Sequence, residues 1–287
     1  DHFASTQPEA PAAADGKGSM SYAELARLSR TLAALMSSPP GHVVPIWVQR
    51  GRLAVVAVVA VLRRGCAWLL VDETLPKGRV KYLLQESNGV ELLADDDVPA
   101  SLIPPGMLSQ KVSLDKLQAT TLHNDVQLPS PSELDDDEPN AYQIFTSGST
   151  GLPKSVLITQ RQLLRLCKVF EEQFPLRLAP NDVCMALIAY AWDMHTLDMW
   201  IPLLQGAQTY ILSEAERLDG SRVADLMAEL RPRFCQMTPT LFQTVIKAGW
   251  QGDGTVDGLT ALSSGEPMPK SLAKQLLHRC SSLVNFY

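Results

Sequence analysis

Leu53-Ala54-Val55-Val56-Ala57-Val58-Val59-Ala60-Val61-Leu62 is the most apolar run in the chain, and no other stretch limits the fold as much. A membrane-spanning helix needs roughly 20 such residues. This run is far shorter and is bracketed by Arg50, Arg52, Arg63 and Arg64, so it belongs inside a globular core as a buried helix or a buried strand. Its surroundings alternate. Val43 to Gln49 reads as a strand, Val80 to Glu86 as a helix ended by Asn88-Gly89, and Val90-Glu91-Leu92-Leu93 as the next strand. Such alternation predicts an α/β fold on a parallel sheet. Upstream, Ser21-Tyr22-Ala23-Glu24 is a capping box, with Ser at the N-cap and Glu three residues on. Leu25, Leu28, Leu32 and Met36 follow at helical spacing, which predicts an amphipathic helix over 22–37.

A chain of 287 residues can bury a large core, and two packed lobes are expected, each on a largely parallel sheet flanked by helices. Residues 1–18, rich in Ala, Pro, Gly and Asp, read as a loose lead-in. Residues 19–138 form the first lobe and 139–287 the second, divided at the acidic Ser130–Glu138 stretch. The runs Asp95–Asp97 and Asp135–Glu138 invite a metal assignment, but in Pro/Ser-rich surroundings they read as solvated loops. With a formal net charge of −6 and no basic cluster, the chain carries no electrostatic footprint for nucleic acid. The five cysteines (66, 167, 184, 235, 280) are scattered without a C-x-x-C pair, which argues against a disulfide framework or a zinc site and fits a reducing cytosol. The first residues lack a charged-then-apolar signal pattern, and without a starting methionine the chain is expected to be cut from something longer.

The chemistry concentrates in Thr146-Ser147-Gly148-Ser149-Thr150-Gly151-Leu152-Pro153-Lys154, between two apolar stretches that read as strands, Tyr142–Phe145 and Val156–Ile158. Glycines let backbone N–H groups turn toward a ligand, hydroxyls add donors, and a lysine supplies a mobile positive charge. Together they suit a polyanion such as the phosphates of a nucleotide. The ordinary P-loop is excluded, because Leu152 and Pro153 separate Gly151 from Lys154 and a strand rather than a helix follows.

The T-S-G-S-T-G-x-P-K string resembles the phosphate-binding loop of the adenylate-forming enzymes: acyl-CoA ligases, luciferases and the adenylation domains of nonribosomal peptide synthetases. Other segments agree. Ser21-Tyr22-x-Glu24-Leu25 resembles the first helix of peptide-synthetase adenylation domains. Leu62–Asp72 resembles L-K-A-G-x-A-Y-V-P-I-D, with Trp68 for Tyr and Leu70 for Pro, which makes the preceding apolar run a helix. Trp192–Ala207 is similar to F-D-x-S-x-x-E-x-x-x-x-L-L-x-G-A, with Trp192 for Phe and Asp198 for Glu. Phe234–Phe242 resembles the strand-to-turn segment that ends in P-(S/T)-x-x, and Leu262–Pro269 resembles x-x-G-G-E-x-L-P, with Ser264 for the first glycine. Val284-Asn285-Phe286-Tyr287 matches the start of N-x-Y-G-P-T-E. The chain most resembles the N-terminal portion of a peptide-synthetase adenylation domain.

The resemblance implies a reaction: a substrate carboxylate attacks the α-phosphate of Mg-ATP, and the acyl-adenylate passes to the phosphopantetheine thiol of a carrier-protein domain. Thr146, Ser147, Gly148, Ser149, Thr150, Gly151 and Lys154 would hold the phosphates, with Thr146 and Lys154 acting on the leaving pyrophosphate. Gly265, Glu266, Pro267, Asn285 and Tyr287 would form the adenine site. Asp193 would pair with the α-ammonium group of an amino acid, since an ionised carboxylate in an apolar pocket selects a cation; the alternative for Asp193 is a helix N-cap. The side-chain pocket would be Asp193, Met194, Leu197, Gln236, Leu262, Ser264 and Phe286, suited to a medium-sized uncharged side chain. His195 reads as structural, because a carboxylate substrate is already ionised and needs no base. Ser155 stands where glycine usually follows P-K, and a side chain there crowds the turn. The Mg2+ ligand, the ribose-gripping aspartate and the small C-terminal domain with its lysine are expected beyond Tyr287, so these residues alone are not expected to complete a turnover. Three alternatives stand: an acyl or aryl acid CoA ligase, a reductase- or acyltransferase-linked adenylation domain, and an inactive half-domain serving as scaffold or binding module.

Overall fold

The capping box at Ser21 is formed: its hydroxyl accepts from Glu24 N–H, and the Glu24 carboxylate accepts from Ser21 N–H at 2.8 Å. The helix that it opens is one of a series alternating with strands. The computed structural model describes residues 1–121, 138–146, 153–174, 176–252 and 258–286. The chain runs α1 (His2–Thr6), β1 (Pro11–Asp15), β2 (Gly18–Ser21), α2 (Tyr22–Leu35), β3 (Val43–Trp47), α3 (Arg52–Arg63), β4 (Ala67–Leu70), α4 (Lys77–Glu86) and β5 (Glu91–Ala94). It continues through β6 (Leu108–Lys111), α5 (Leu114–Ala119), β7 (Asn140–Thr146), β8 (Lys154–Thr159), α6 (Gln160–Gln173), β9 (Val183–Ala186) and α7 (His195–Gln205). Then follow β10 (Gln208–Ile211), α8 (Glu214–Leu218), α9 (Gly220–Leu230), β11 (Phe234–Met237), α10 (Pro239–Lys247), β12 (Thr260–Ser264), α11 (Lys270–Leu277) and β13 (Ser282–Phe286).

Two sheets result. One has the order β6-β5-β3-β4-β7-β8 and is parallel except for β8, which returns antiparallel beside β7. The other has the order β13-β12-β11-β9-β10-β1-β2 and is parallel except for β2. The apolar run is a helix, α3, with Ala54–Val58, Ala60 and Val61 fully buried between α2 and strands of both sheets. A helix buried on nearly all sides has no polar face to write into the sequence, which is why periodicity alone left a strand open.

Two sequence expectations are corrected. Residues 1–18 are not a loose lead-in: they carry α1, β1 and the start of β2, and Ala12, Ala13 and Ala14 are buried. β1 lies parallel to β10, with Ala13 opposite Thr209, and Asp15 is held by Arg52 through its backbone N–H (3.0 Å) and Nε (3.1 Å). The lobes also do not divide at 138. The β7–β8 hairpin completes the first sheet, with Tyr142 opposite Trp68, while β1 and β2 complete the second. The indole of Trp68 stacks on Tyr142 with ring centres 5.2 Å apart and touches Trp200 of α7, so the sheets share one core. Among the described residues no helix is long and apolar enough to cross a membrane.

Candidate functional site

Parallel strands aim their carboxyl ends one way, and ligands gather there. In this chain the carboxyl ends of both sheets converge. Arg50, just past β3, donates to the carbonyls of Ala186 and Ile188, at and past the end of β9, and of Leu212, past the end of β10. The candidate residues lie along this junction.

Thr146 ends β7 and Lys154 begins β8, directly opposite each other, with the Thr146 hydroxyl 3.4 Å from Lys154 O. Ser147, Gly148, Ser149, Thr150 and Gly151, which the sequence assigns to the phosphates, lie outside the described residues. At the loop's exit the Tyr82 hydroxyl of α4 donates to Pro153 O at 2.9 Å, and the Tyr82 ring meets Phe145 edge-on. The Ser155 hydroxyl accepts from Gln143 Nε2 at 3.0 Å. Tyr82 and Gln143 thus touch the residues that close the candidate loop, and the sequence reading missed them because nothing in their local pattern distinguishes them.

On the second sheet, Gln236, Leu262 and Val284 are register partners on β11, β12 and β13, and Ser264 pairs with Phe286 two residues on. The two-residue period of strands puts all five on one face. Leu262 packs there with Leu197, and Met194 lies against the same cluster. Gln236 is fully buried and donates to the Ser264 hydroxyl at 2.9 Å. The structure thus brings together six of the seven predicted pocket residues: Met194, Leu197, Gln236, Leu262, Ser264 and Phe286.

Asp193, the seventh, sits on the turn between β9 and α7 and is exposed. Met194 is the N-cap of α7 and no side chain caps it, so the Asp193 carboxylate is not used as a helix cap. Its carbonyl accepts from the N–H and hydroxyl of Thr196 at 3.0 and 2.7 Å, and its charge adds to the burial that pushes the Tyr142 hydroxyl up to about 12. Its neighbour Trp192 lies on Gly265, where any Cβ would stand 2.8 Å from Trp192 Cζ3. Gly265 has φ +82°, a left-handed conformation that glycine alone adopts readily. The next residue, Glu266, accepts from the N–H and hydroxyl of Thr240 at 3.2 and 2.6 Å, which anchors the exposed Gly265–Pro267 shelf to α10. Asn285 is exposed opposite Ser263, and Tyr287 lies outside the described residues.

His195 points inward, with Nδ1 2.6 Å from Trp192 O. A carbonyl only accepts, so Nδ1 carries the proton. Burial lowers the ring's pKa to about 4, so it is neutral at pH 7. Asp198 is buried as well; its Oδ2 accepts from Leu187 N–H and Ile188 N–H, both at 3.0 Å, and burial raises it to about 7. Among the described residues no three His, Cys, Asp or Glu side chains converge as a metal site.

Comparison with known proteins accords with this geometry. The profile of the family described as "AMP-binding enzyme" matches residues 1–287. A dimodular nonribosomal peptide synthase of Bacillus subtilis (strain 168) is 28% identical over 279 residues, covering 93% of this chain but only 11% of its own length. The chain therefore spans a small part of that curated relative. Among solved structures, the nonribosomal peptide synthetase FmoA3 (S1046A) superposes with a TM-score of 0.82 at 23% identity, over 99% of this chain and 30% of that one. The Klebsiella oxytoca NpsA N-terminal subdomain in complex with 3-hydroxybenzoyl-AMSN gives 0.81 at 20% identity, over 99% and 70%. The fold is that of the N-terminal subdomain of adenylate-forming enzymes, and the chain belongs to the AMP-binding enzyme family.

Proposed function

We propose that this chain is the substrate- and ATP-binding part of an amino-acid-activating adenylation domain. The amino acid's carboxylate attacks the α-phosphate of ATP; the bond to the β-phosphate oxygen breaks, leaving aminoacyl-AMP and pyrophosphate. A phosphopantetheine thiol on a carrier domain then attacks the acyl carbon, the bond from that carbon to the AMP phosphate oxygen breaks, and AMP leaves. The observation that supports this reading is the contact of Trp192, the residue before Asp193, with the Gly265 shelf. In this reading the substrate's ammonium group meets Asp193 and its carboxylate faces the phosphates of ATP. Holding the reactants together in this way is itself a large part of catalysis. Lys154 then stabilises charge that develops on the departing pyrophosphate.

The test is ATP–pyrophosphate exchange in the complete protein. Lys154→Ala is expected to cut exchange about 100-fold while leaving the melting temperature in place; undiminished exchange would remove the loop from the mechanism. A second reading, activation of an acid without an amino group, takes its support from the NpsA complex with 3-hydroxybenzoyl-AMSN. Exchange that is equally good with the des-amino analogue of the best amino acid selects that reading.

A further inference from the structure

The segment that carries Trp192 and Asp193 leaves β9 at Ala186 and reaches α7 at His195 through tight turns, with Trp192 N–H bonded to Ala189 O and His195 N–H to Trp192 O. Such a turn would leave buried backbone groups without partners, a costly state. Two buried polar side chains complete it, one a donor and one an acceptor. Arg50, 8% exposed, donates from Nη2 to Ala186 O (3.1 Å), from Nη1 to Ile188 O (2.9 Å) and from Nε to Leu212 O (2.9 Å). Asp198, 1% exposed, takes the N–H groups of Leu187 and Ile188. Carbonyls of the turn go to the Arg50 guanidinium from the first sheet and amides to a carboxyl oxygen of Asp198 on α7.

The grip extends to the site. The Arg50 guanidinium lies 4.4 Å from the centre of the Tyr190 ring. The Tyr190 ring meets His195 edge-on with centres 5.7 Å apart, and His195 Nδ1 holds Trp192 O. Trp192 in turn rests on Gly265. We propose that Arg50 and Asp198 are positioning residues, a two-sided clamp on the Ala186–Ile188 backbone that sets where Asp193 meets the substrate's amino group. The inference rests on the amino-acid-activating reading for its functional consequence and on geometry alone for the clamp.

Two measurements on the complete protein separate these. In hydrogen exchange, Arg50→Lys loses protection across 186–194 while α9 keeps its own, since a lysine point charge cannot serve three carbonyls in one plane. Unchanged protection across 186–194 overturns the clamp, whatever the protein's activity. In pyrophosphate exchange, Arg50→Lys raises the KM for the amino acid about tenfold and shifts the KM for ATP less than about threefold, because misplacement at one end of the site is what the clamp prevents. Asp198→Ala acts the same way, and Asp198→Asn, which keeps an acceptor oxygen, restores most of the affinity. A parallel rise in both KM values, or equal effects of Ala and Asn at 198, overturns the positioning role. No exchange by the wild type with any amino acid refutes the functional reading instead and leaves the clamp to the first measurement.

Discussion

Gly265→Ala tests whether the proposed adenine shelf and the proposed substrate aspartate are held by one contact. Two costs enter. Alanine at φ +82° sits in the left-handed region, which costs about 1 kcal/mol. The new methyl also lands 2.8 Å from Trp192 Cζ3 and 3.4 Å from Cη2, closer than carbon atoms pack, so the indole must retreat by about half an ångström or more. Trp192 is 51% exposed, so the ring can swing outward and relieve much of that overlap. The stability loss should therefore be roughly 1–2 kcal/mol rather than the upper end for overpacking. Function has no such escape. A ring that retreats carries the Trp192–Asp193 backbone with it or leaves the shelf unsupported, and a displacement approaching 1 Å at a reacting site costs up to about 100-fold. Urea melts and pyrophosphate exchange on Gly265→Ala, Trp192→Leu and the double variant form a cycle. With the indole gone, the penalty of Gly265→Ala should fall to the roughly 1 kcal/mol of the backbone. An equal penalty in both backgrounds would show that the indole contact does not couple the shelf to Asp193.

Tyr82→Phe removes one hydrogen bond, to Pro153 O, worth about 1 kcal/mol, so the KM for ATP should rise about fivefold with the KM for the amino acid unmoved; an unchanged ATP KM detaches Tyr82 from the loop. The buried pair His195 and Asp198 should show opposite pH linkages in chemical denaturation. His195, lowered from 6.5 to about 4, binds fewer protons folded than unfolded, so its contribution makes stability rise from pH 4 to 6.5. Asp198, raised from 3.8 to about 7, binds more protons folded, so its contribution makes stability fall from about pH 4 to 7. Each is worth roughly 3–4 kcal/mol at full extent, and in the wild type they largely offset. Asp198→Asn should steepen the rise of stability over pH 4–6.5 relative to wild type and His195→Gln should turn it toward a fall; identical slopes in all three proteins would refute the assignment.

Much of the architecture was legible because the sequence writes it locally. Ser21 and Glu24 announce α2. The strands around Thr146–Lys154 are read from their apolar runs, and the pocket residues fall together because Gln236, Leu262, Ser264 and Phe286 share one face at the ends of adjacent strands. What was missed has a common cause. β1 pairs with β10 across nearly 200 residues, and three alanines show no alternation that would betray a strand. The division of the chain between its sheets was misplaced because the β7–β8 hairpin chooses its neighbour, Trp68, by a packing contact far away in sequence.

Arg50 is the sharpest case. In the sequence it is one of four arginines flanking an apolar run, a position that reads as a solvated boundary. In the fold it is buried, and its partners are the carbonyls of Ala186, Ile188 and Leu212. Every residue has a carbonyl, so the partner side of such a contact leaves no mark on side-chain identity. Tyr82 on Pro153 O is invisible for the same reason. Residues that face a ligand must have particular chemistry and can be found by type and spacing, whereas residues that hold those in place can bind to backbone of any sequence. The clamp on Ala186–Ile188 belongs to the second kind, and only the three-dimensional placement of Arg50 and Asp198 connects it to Asp193.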